Sequence, residues 1–356
     1  MPARWRSSRR GTAAVLLTVA GIAGAGCGGG SANIVAPAAG HTAAAAHATP
    51  ASSSSTPATG DRSAPLTGLP VSSARVADRA AVALPVAGDR PRGLAAADVV
   101  LEEITAPIRY IAVFQSREDQ SVGPVTSTRP TDGQALSVLH PLLGYDGGTA
   151  PFIRVLDKSD VVDMGYARHP SLYHAGAAGL TASTSQIETA ARGTAPPPLF
   201  TYQGPGIGSA AQFASTGTWR PSRVRIEAPA LGTQQWSFSP RSGRWTDTAG
   251  GPRVQVANLI IQTVRYKDVN LSTRLGITVP SARVIGKGAA LVVSAADGPA
   301  NSHSGVAVKA FWSKPGRHAV TNYLDSRGVP IGLQPGPTWV VLAPPGTQIR
   351  TGRGRP

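Results

Sequence analysis

The chain has 356 residues, carries 34 Lys and Arg against 19 Asp and Glu, and has a formal net charge of +15. A single cysteine excludes any intramolecular disulfide, and no nucleic-acid-binding motif accompanies the positive charge. The length allows two domains besides the terminal segments.

Residues 1–27 read as an export signal. Arg4, Arg6, Arg9 and Arg10 form a positive start, and residues 11–26 follow without a charge but with Val15, Leu16, Leu17, Val19 and Ile22. Small residues 23–26 then lead directly to Cys27. This order is that of a secretory signal, and the apolar run is shorter than the ~20 residues a spanning helix needs. The position of Cys27 resembles a bacterial lipobox, with Gly24 where Leu is usual. Cys27 is therefore expected to be acylated, with palmitate or a similar chain. The rest of the protein would then be anchored to the cell membrane, facing outside the cytoplasm. Arg9-Arg10 hints at twin-arginine export, but Gly11 and Thr12 stand where apolar residues are expected, so the choice between that route and Sec stays open.

Residues 28–65 are almost wholly Gly, Ala, Ser, Thr and Pro, and only Ile34 and Val35 could join a core. Such a segment cannot offset its own ordering entropy and is expected to be a disordered tether. As a flexible coil it would reach about 30–40 Å.

The folded part is expected to be α+β in two domains, a mixed α/β N-terminal domain over 66–205 and a β-rich C-terminal domain over 223–345. In the first, residues 99–101 and 108–114 read as strands. The second of these is apolar on both faces, as in the middle of a covered sheet. Ser185, Gln186, Ile187 and Glu188 have capping-box spacing and predict a helix ending near Gly193. Pro205, Pro221 and nearby glycines mark the boundary over 205–233. Strands are then predicted over 224–226, 254–266, 290–293, 306–312 and 339–342, with a hairpin over 236–245 turning at Ser242-Gly243. Residues 346–356, with Arg350, Arg353 and Arg355, read as a basic tail that frays.

Charge divides along the same boundary. Residues 66–203 hold 11 Lys and Arg against 13 Asp and Glu, whereas residues 204–345 hold 15 against 5. A basic domain outside the membrane faces lipid head groups or wall polymers, and nucleic acid ranks last among its partners because export is expected. The bland alternative is a solvated surface that selects nothing.

Several stretches carry a family resemblance. Residues 65–70 (PLTGLP) open it, and residues 90–102 (RPRGLAAADVVLE) carry it most strongly. Residues 109–116, 122–125 (VGPV) and 127–129 (STR) continue it, followed by 256–262, 312–314 (WSK) and 333–339 (LQPGPTW). Together these resemble the YerB-like bacterial lipoproteins, a family catalogued as a domain of unknown function. The resemblance implies a two-domain α+β lipoprotein and implies no reaction. Thr126 stands where the family often has arginine, residues 169–173 (HPSLY) replace its "HNLY", and Gly88-Asp89 replace its Asn-Asn.

Candidate chemistry is sparse. Glu102 and Glu103 follow a strand and are the only candidates for catalysis. Adjacent strand residues face opposite sides, so at most one can join a given cleft. Glycoside hydrolysis needs a second carboxylate about 5–10 Å away, for which Asp132 and Asp146 are candidates. The alternative is a carboxylate paired with Arg109 or Arg129 to hold a loop. His140, His169 and His174, with Asp157, Asp160 and Asp163, lack the spacing of a zinc or calcium site, so no metal and no cofactor is expected. There is no Gly-x-Ser-x-Gly elbow, and Gly286-Lys287-Gly288 reads as a turn. Ligand binding is better supplied. Arg109, Arg129, Arg168, His169 and Tyr173 in the first block, and Trp312 and Lys314 in the second, combine donors with aromatic faces.

Two functions follow as expectations. The first is an envelope lipoprotein that binds a partner protein or anionic wall material through the groove between two domains. The second is a hydrolase that uses a carboxylate at Glu102 or Glu103 on an envelope glycan.

Overall fold

The computed structural model describes residues 62–88, 90–202, 218–228, 232–248, 250–272, 277–295 and 304–352. The export signal, Cys27, most of the tether and most of the 205–233 boundary lie outside the described residues. Among the described residues, no helix is long and apolar enough to cross a membrane.

The first block supplies strands β1 (Val82–Ala87), β2 (Val99–Glu103), β3 (Arg109–Phe114), β4 (Leu142–Leu143) and β5 (Val162–Asp163), and the ribbon β6 (Tyr173–Gly176) and β7 (Gly179–Ala182). Its helices are α1 (Ala74–Ala77), α2 (Pro130–Leu136), α3 (Ala150–Leu156) and α4 (Thr184–Ala190). The second block supplies β8 (Arg223–Ala228), β9 (Gly232–Ser239), β10 (Arg244–Asp247), β11 (Gln255–Val256), β12 (Asn258–Thr263), β13 (Tyr266–Ser272) and β14 (Ile277–Ala282). It continues with β15 (Gly286–Ser294), β16 (Val306–Lys314), β17 (Asn322–Leu324), β18 (Thr338–Ala343) and β19 (Gln348–Gly352).

These elements make a mixed, α+β architecture. Ten strands form one sheet in the order β17-β16-β15-β12-β18-β2-β3-β1-β4-β5, so strands of both sequence blocks share it. The seam is β18, which runs parallel to β12 on one side and to β2 on the other. β18 suits that central place because all six of its side chains are buried, two alternating apolar sets facing two covered layers.

One face of the sheet packs against a five-stranded sheet, β11-β10-β9-β8-β19. Val100, Ala112, Ile261, Val293 and Trp339 meet Val224, Ile226, Trp236 and Trp245 there. The other face carries α2, α3 and the turn after α2, with Leu136, Val138, Leu139 and Leu156 against Val99, Ile111 and Val113. Each fully buried Val, Leu or Ile side chain contributes roughly 1.5–3 kcal/mol.

The structure differs from the sequence reading at four places. The helix expected to begin at Ser185 is capped by Ser183, whose hydroxyl accepts the Gln186 N–H, and it ends at Ala190. The strand expected over 254–266 is three strands. The chain leaves the five-stranded sheet at Val256, turns at Ala257, enters the ten-stranded sheet at Asn258, and begins the β13–β14 ribbon at Tyr266. The tail expected to fray forms β19 over Gln348–Gly352, paired antiparallel with β8. Its side chains are mostly exposed, so backbone pairing and the contact of Ile349 with the core hold it where composition suggested nothing would. Lastly, residues 286–288 open strand β15 instead of making a turn.

Candidate functional site

Strand alternation sends Glu102 and Glu103 to different layers. Glu102 shares a face with Val100 and looks toward the five-stranded sheet, while Glu103 looks toward α2. Both are almost wholly buried.

Glu102 is at the floor of a groove of about 330 Å³. The groove lies between the first block (Pro91, Pro107, Tyr110) and the second (Gln234, Asp247, Trp339). The Trp339 indole N–H donates to Glu102 Oε2 at 2.7 Å, and the Gln234 amide donates to Oε1. Tyr110 faces Glu102 across the β2–β3 ladder and meets Trp339 edge-on at 5.6 Å between ring centres. Burial pushes the Glu102 carboxyl up to about 7, against the two hydrogen bonds and with help from the charge of Asp247.

Glu103 is held in a buried ion cluster. Arg109 Nη1 donates to Glu103 Oε2 at 2.6 Å, and its two terminal nitrogens grip Asp132 at 2.8 and 2.6 Å. Asp132 Oδ2 also accepts from Thr128 Oγ1 and from the Arg129 backbone N–H, each at 3.0 Å, and so caps α2. Burial alone would weaken the Arg109 charge, but Asp132 and Glu103 outweigh it and hold the guanidinium more firmly protonated than usual. Arg129 stands beside this cluster, and burial together with Arg109 lowers its guanidinium. Among the described residues, its Nη1 has no hydrogen-bond partner.

The remaining candidates are dispersed. Arg168 is exposed and pairs with Asp163 at 2.9 Å. Tyr173 is buried; its hydroxyl donates to the Met164 carbonyl at 2.7 Å and accepts the Tyr145 N–H at 3.0 Å. His169 is partly buried at the start of a short 3-10 turn. His140 Nδ1 contacts Asp160 at 2.7 Å. Among the described residues, no three His, Cys, Asp or Glu side chains converge as metal ligands. Trp312 is buried with its indole N–H donating to the Thr263 carbonyl at 2.8 Å, and Lys314, two residues on, lines a different cavity.

Trp312 walls a second concavity, of about 470 Å³, that the residue-level reading missed. Arg265, Arg283 and Lys287 line it, with Ile285 and Pro345, and no Asp or Glu does among the described residues. The β13–β14 ribbon begins here, where the Arg283 N–H donates to the Arg265 carbonyl at 2.8 Å and so holds two arginines side by side. All three cations are exposed. Gly288 is required by the wall itself, since a Cβ there would lie 2.6 Å from the Trp312 indole nitrogen. The excess charge of the second block was legible in sequence, but its focus was not, because residues 265, 283 and 287 meet only through strand pairing. In the groove, Gln234, Asp247 and Trp339 were missed for the same reason, although Trp339 ends one of the motifs that carried the resemblance.

Known proteins add the following. The model for the N-terminal domain of the protein of unknown function DUF3048 matches residues 66–189, and the model for its C-terminal domain matches residues 230–340. A crystal structure of YerB protein from Bacillus subtilis is similar, with a TM-score of 0.63 at 18% sequence identity, covering 81% of this chain and 99% of that one. At that identity the likeness is one of fold. No curated protein matches the chain. Because the two domain models together span more than half of its residues, this chain belongs to the DUF3048 family of proteins of unknown function.

Proposed function

We propose that the chain is a lipid-anchored, extracytoplasmic binding protein of the cell envelope that contacts anionic wall polymer through the cleft of Arg265, Arg283 and Lys287. The observation that carries this reading is the cleft itself, three cations and, among the described residues, no carboxylate in one concavity of a block already rich in positive charge. Exposed cations attract a polyanion through a screened field, so the contact should weaken steeply with salt. Retention of the protein on purified wall polymer, measured at rising salt, tests it. Retention should fall with salt and should be lost in an Arg265→Gln, Arg283→Gln, Lys287→Gln variant. Retention indifferent to salt, or none at all, would remove the proposal. The anchor is tested separately: Cys27→Ala should abolish incorporation of a palmitate analogue and release the protein from the membrane fraction.

A second reading, a carboxylate-dependent hydrolase of an envelope glycan, is favoured by one observation. The Glu102 carboxyl is raised to about 7 and shares its groove with Asp247. A protonated Glu102 would act as general acid and Asp247 as its partner. Against this, Glu102 is 1% exposed and each of its oxygens already accepts a hydrogen bond. A folded Glu102→Gln variant that retained full cellular function would eliminate the hydrolase.

A further inference from the structure

Lys314 is a lysine where the fold gives every reason for a methionine. It ends β16 on the face shared by Val308, Ala310 and Trp312, and it is 2% exposed. Its Nζ donates to the Ala319 carbonyl of the following loop. Among the described residues no carboxylate pairs with it, and burial alone lowers its ammonium to about 8. It therefore remains mostly charged at neutral pH, in surroundings that do not compensate the charge. Burying a charge without a partner is costly, so an apolar side chain of similar volume there should be neutral or stabilising.

Beside Lys314 is a cavity of about 50 Å³, separate from the groove and from the basic cleft. Its walls are apolar: Val99, Leu101 and Val340 from the sheet, Leu136 and Leu139 from the helical layer, and Phe200. Its polar lining, apart from Lys314, is Thr321, Gln262 and Tyr323, the last donating its hydroxyl to Gln262 Oε1 at 2.6 Å. Arg317 and His318, on the loop between β16 and β17, are engaged elsewhere, with the Lys158 carbonyl and Asp160. Lys314 lines this apolar pocket, and a cationic side chain beside apolar walls is complementary to a carboxylate with a short apolar tail. Volume sets the tail. A water needs about 10–15 Å³, whereas a cavity of about 150 Å³ holds benzene, so the space here suits roughly four or five heavy atoms once the carboxylate meets the amine.

We infer that Lys314 and this cavity form a binding site for a small aliphatic monocarboxylate of the size of acetate or propionate. The inference is independent of the wall-polymer reading, since it uses none of the residues of the basic cleft.

The test is the thermal unfolding midpoint of the full chain at pH 6.5, titrated with sodium acetate, propionate and hexanoate, and with sodium chloride and propionamide as controls. A ligand that binds only the folded state raises the midpoint as its concentration passes Kd. Acetate and propionate should raise it saturably, and hexanoate, chloride and propionamide should not. The rise should persist in Lys309→Gln, an exposed lysine on the same strand. It should vanish in Lys314→Met and fade in the wild type between pH 7 and pH 9 as the amine loses its proton. Without ligand, Lys314→Met should be at least as stable as the wild type. No rise with any carboxylate, an equal rise with hexanoate or chloride, or a rise kept by Lys314→Met would overturn the inference. If that variant fails to fold, the size series and the pH dependence of the wild type decide the matter.

Discussion

Glu102 and Glu103 are neighbours in sequence, equally buried, and chemically almost the same, yet the molecule uses them in opposite ways. Glu103 points into the helical layer, where Arg109 and Asp132 complete an ion cluster closed by charge-assisted hydrogen bonds. Glu102 points the other way, to neutral donors from Trp339 and Gln234, with the charge of another carboxylate, Asp247, raising it further. One carboxylate is compensated and the other is not. The period of two along a strand is enough to produce that difference, and the groove is on the uncompensated side.

The comparison breaks most visibly at Arg109. Arg109→Ala leaves Glu103 and Asp132 buried together without their cation, and should destabilise the fold by about 3–5 kcal/mol in denaturant unfolding. A loss below 1 kcal/mol would mean that the cluster is solvated and that the two glutamates do not differ as described.

A somewhat smaller effect is expected at Glu102, and it depends on pH. Its carboxyl is raised from 4.5 to about 7 in the folded state. The folded state therefore binds its proton more tightly than the unfolded chain does. The associated stability is full below pH 4.5 and is lost as pH rises to about 7, a change on the order of 3 kcal/mol. In Glu102→Gln that loss should be absent, so unfolding free energies of wild type and variant should diverge from pH 4.5 to pH 7 and run parallel above it. Parallel curves over the whole range would show that Glu102 is not raised.

The smallest effect serves as a control remote from β2. Ser183→Ala removes the hydroxyl that accepts the Gln186 N–H at the start of α4 and should cost about 1 kcal/mol, independent of pH. A pH-dependent loss there would mean that the Glu102 comparison reports a general property of the chain.

Much of this architecture was legible beforehand. The doubly apolar residues 108–114 do sit inside the sheet as β3, between β1 and β2, and the alternation that allowed only one glutamate per cleft holds. The family followed from short motifs in a fixed order. The β19 strand was not legible, since exposed polar side chains carry no periodic signal when backbone pairing is what orders them. The dispersal of the candidate binding residues was not legible either. Trp312 and Lys314 are two apart on one face of β16 and still line different concavities, because the elements packed on that strand differ along its length.

By itself the sequence determined the α+β character, the strand faces and the uneven charge, because these depend on local periodicity and composition. Only the tertiary structure decided which residues meet. Strand β18 enters beside β2 from more than 230 residues away in the chain and brings Trp339 to Glu102. The β13–β14 ribbon sets Arg265 beside Arg283. Such pairings arise from long-range strand register, for which adjacent residues in a sequence carry no information.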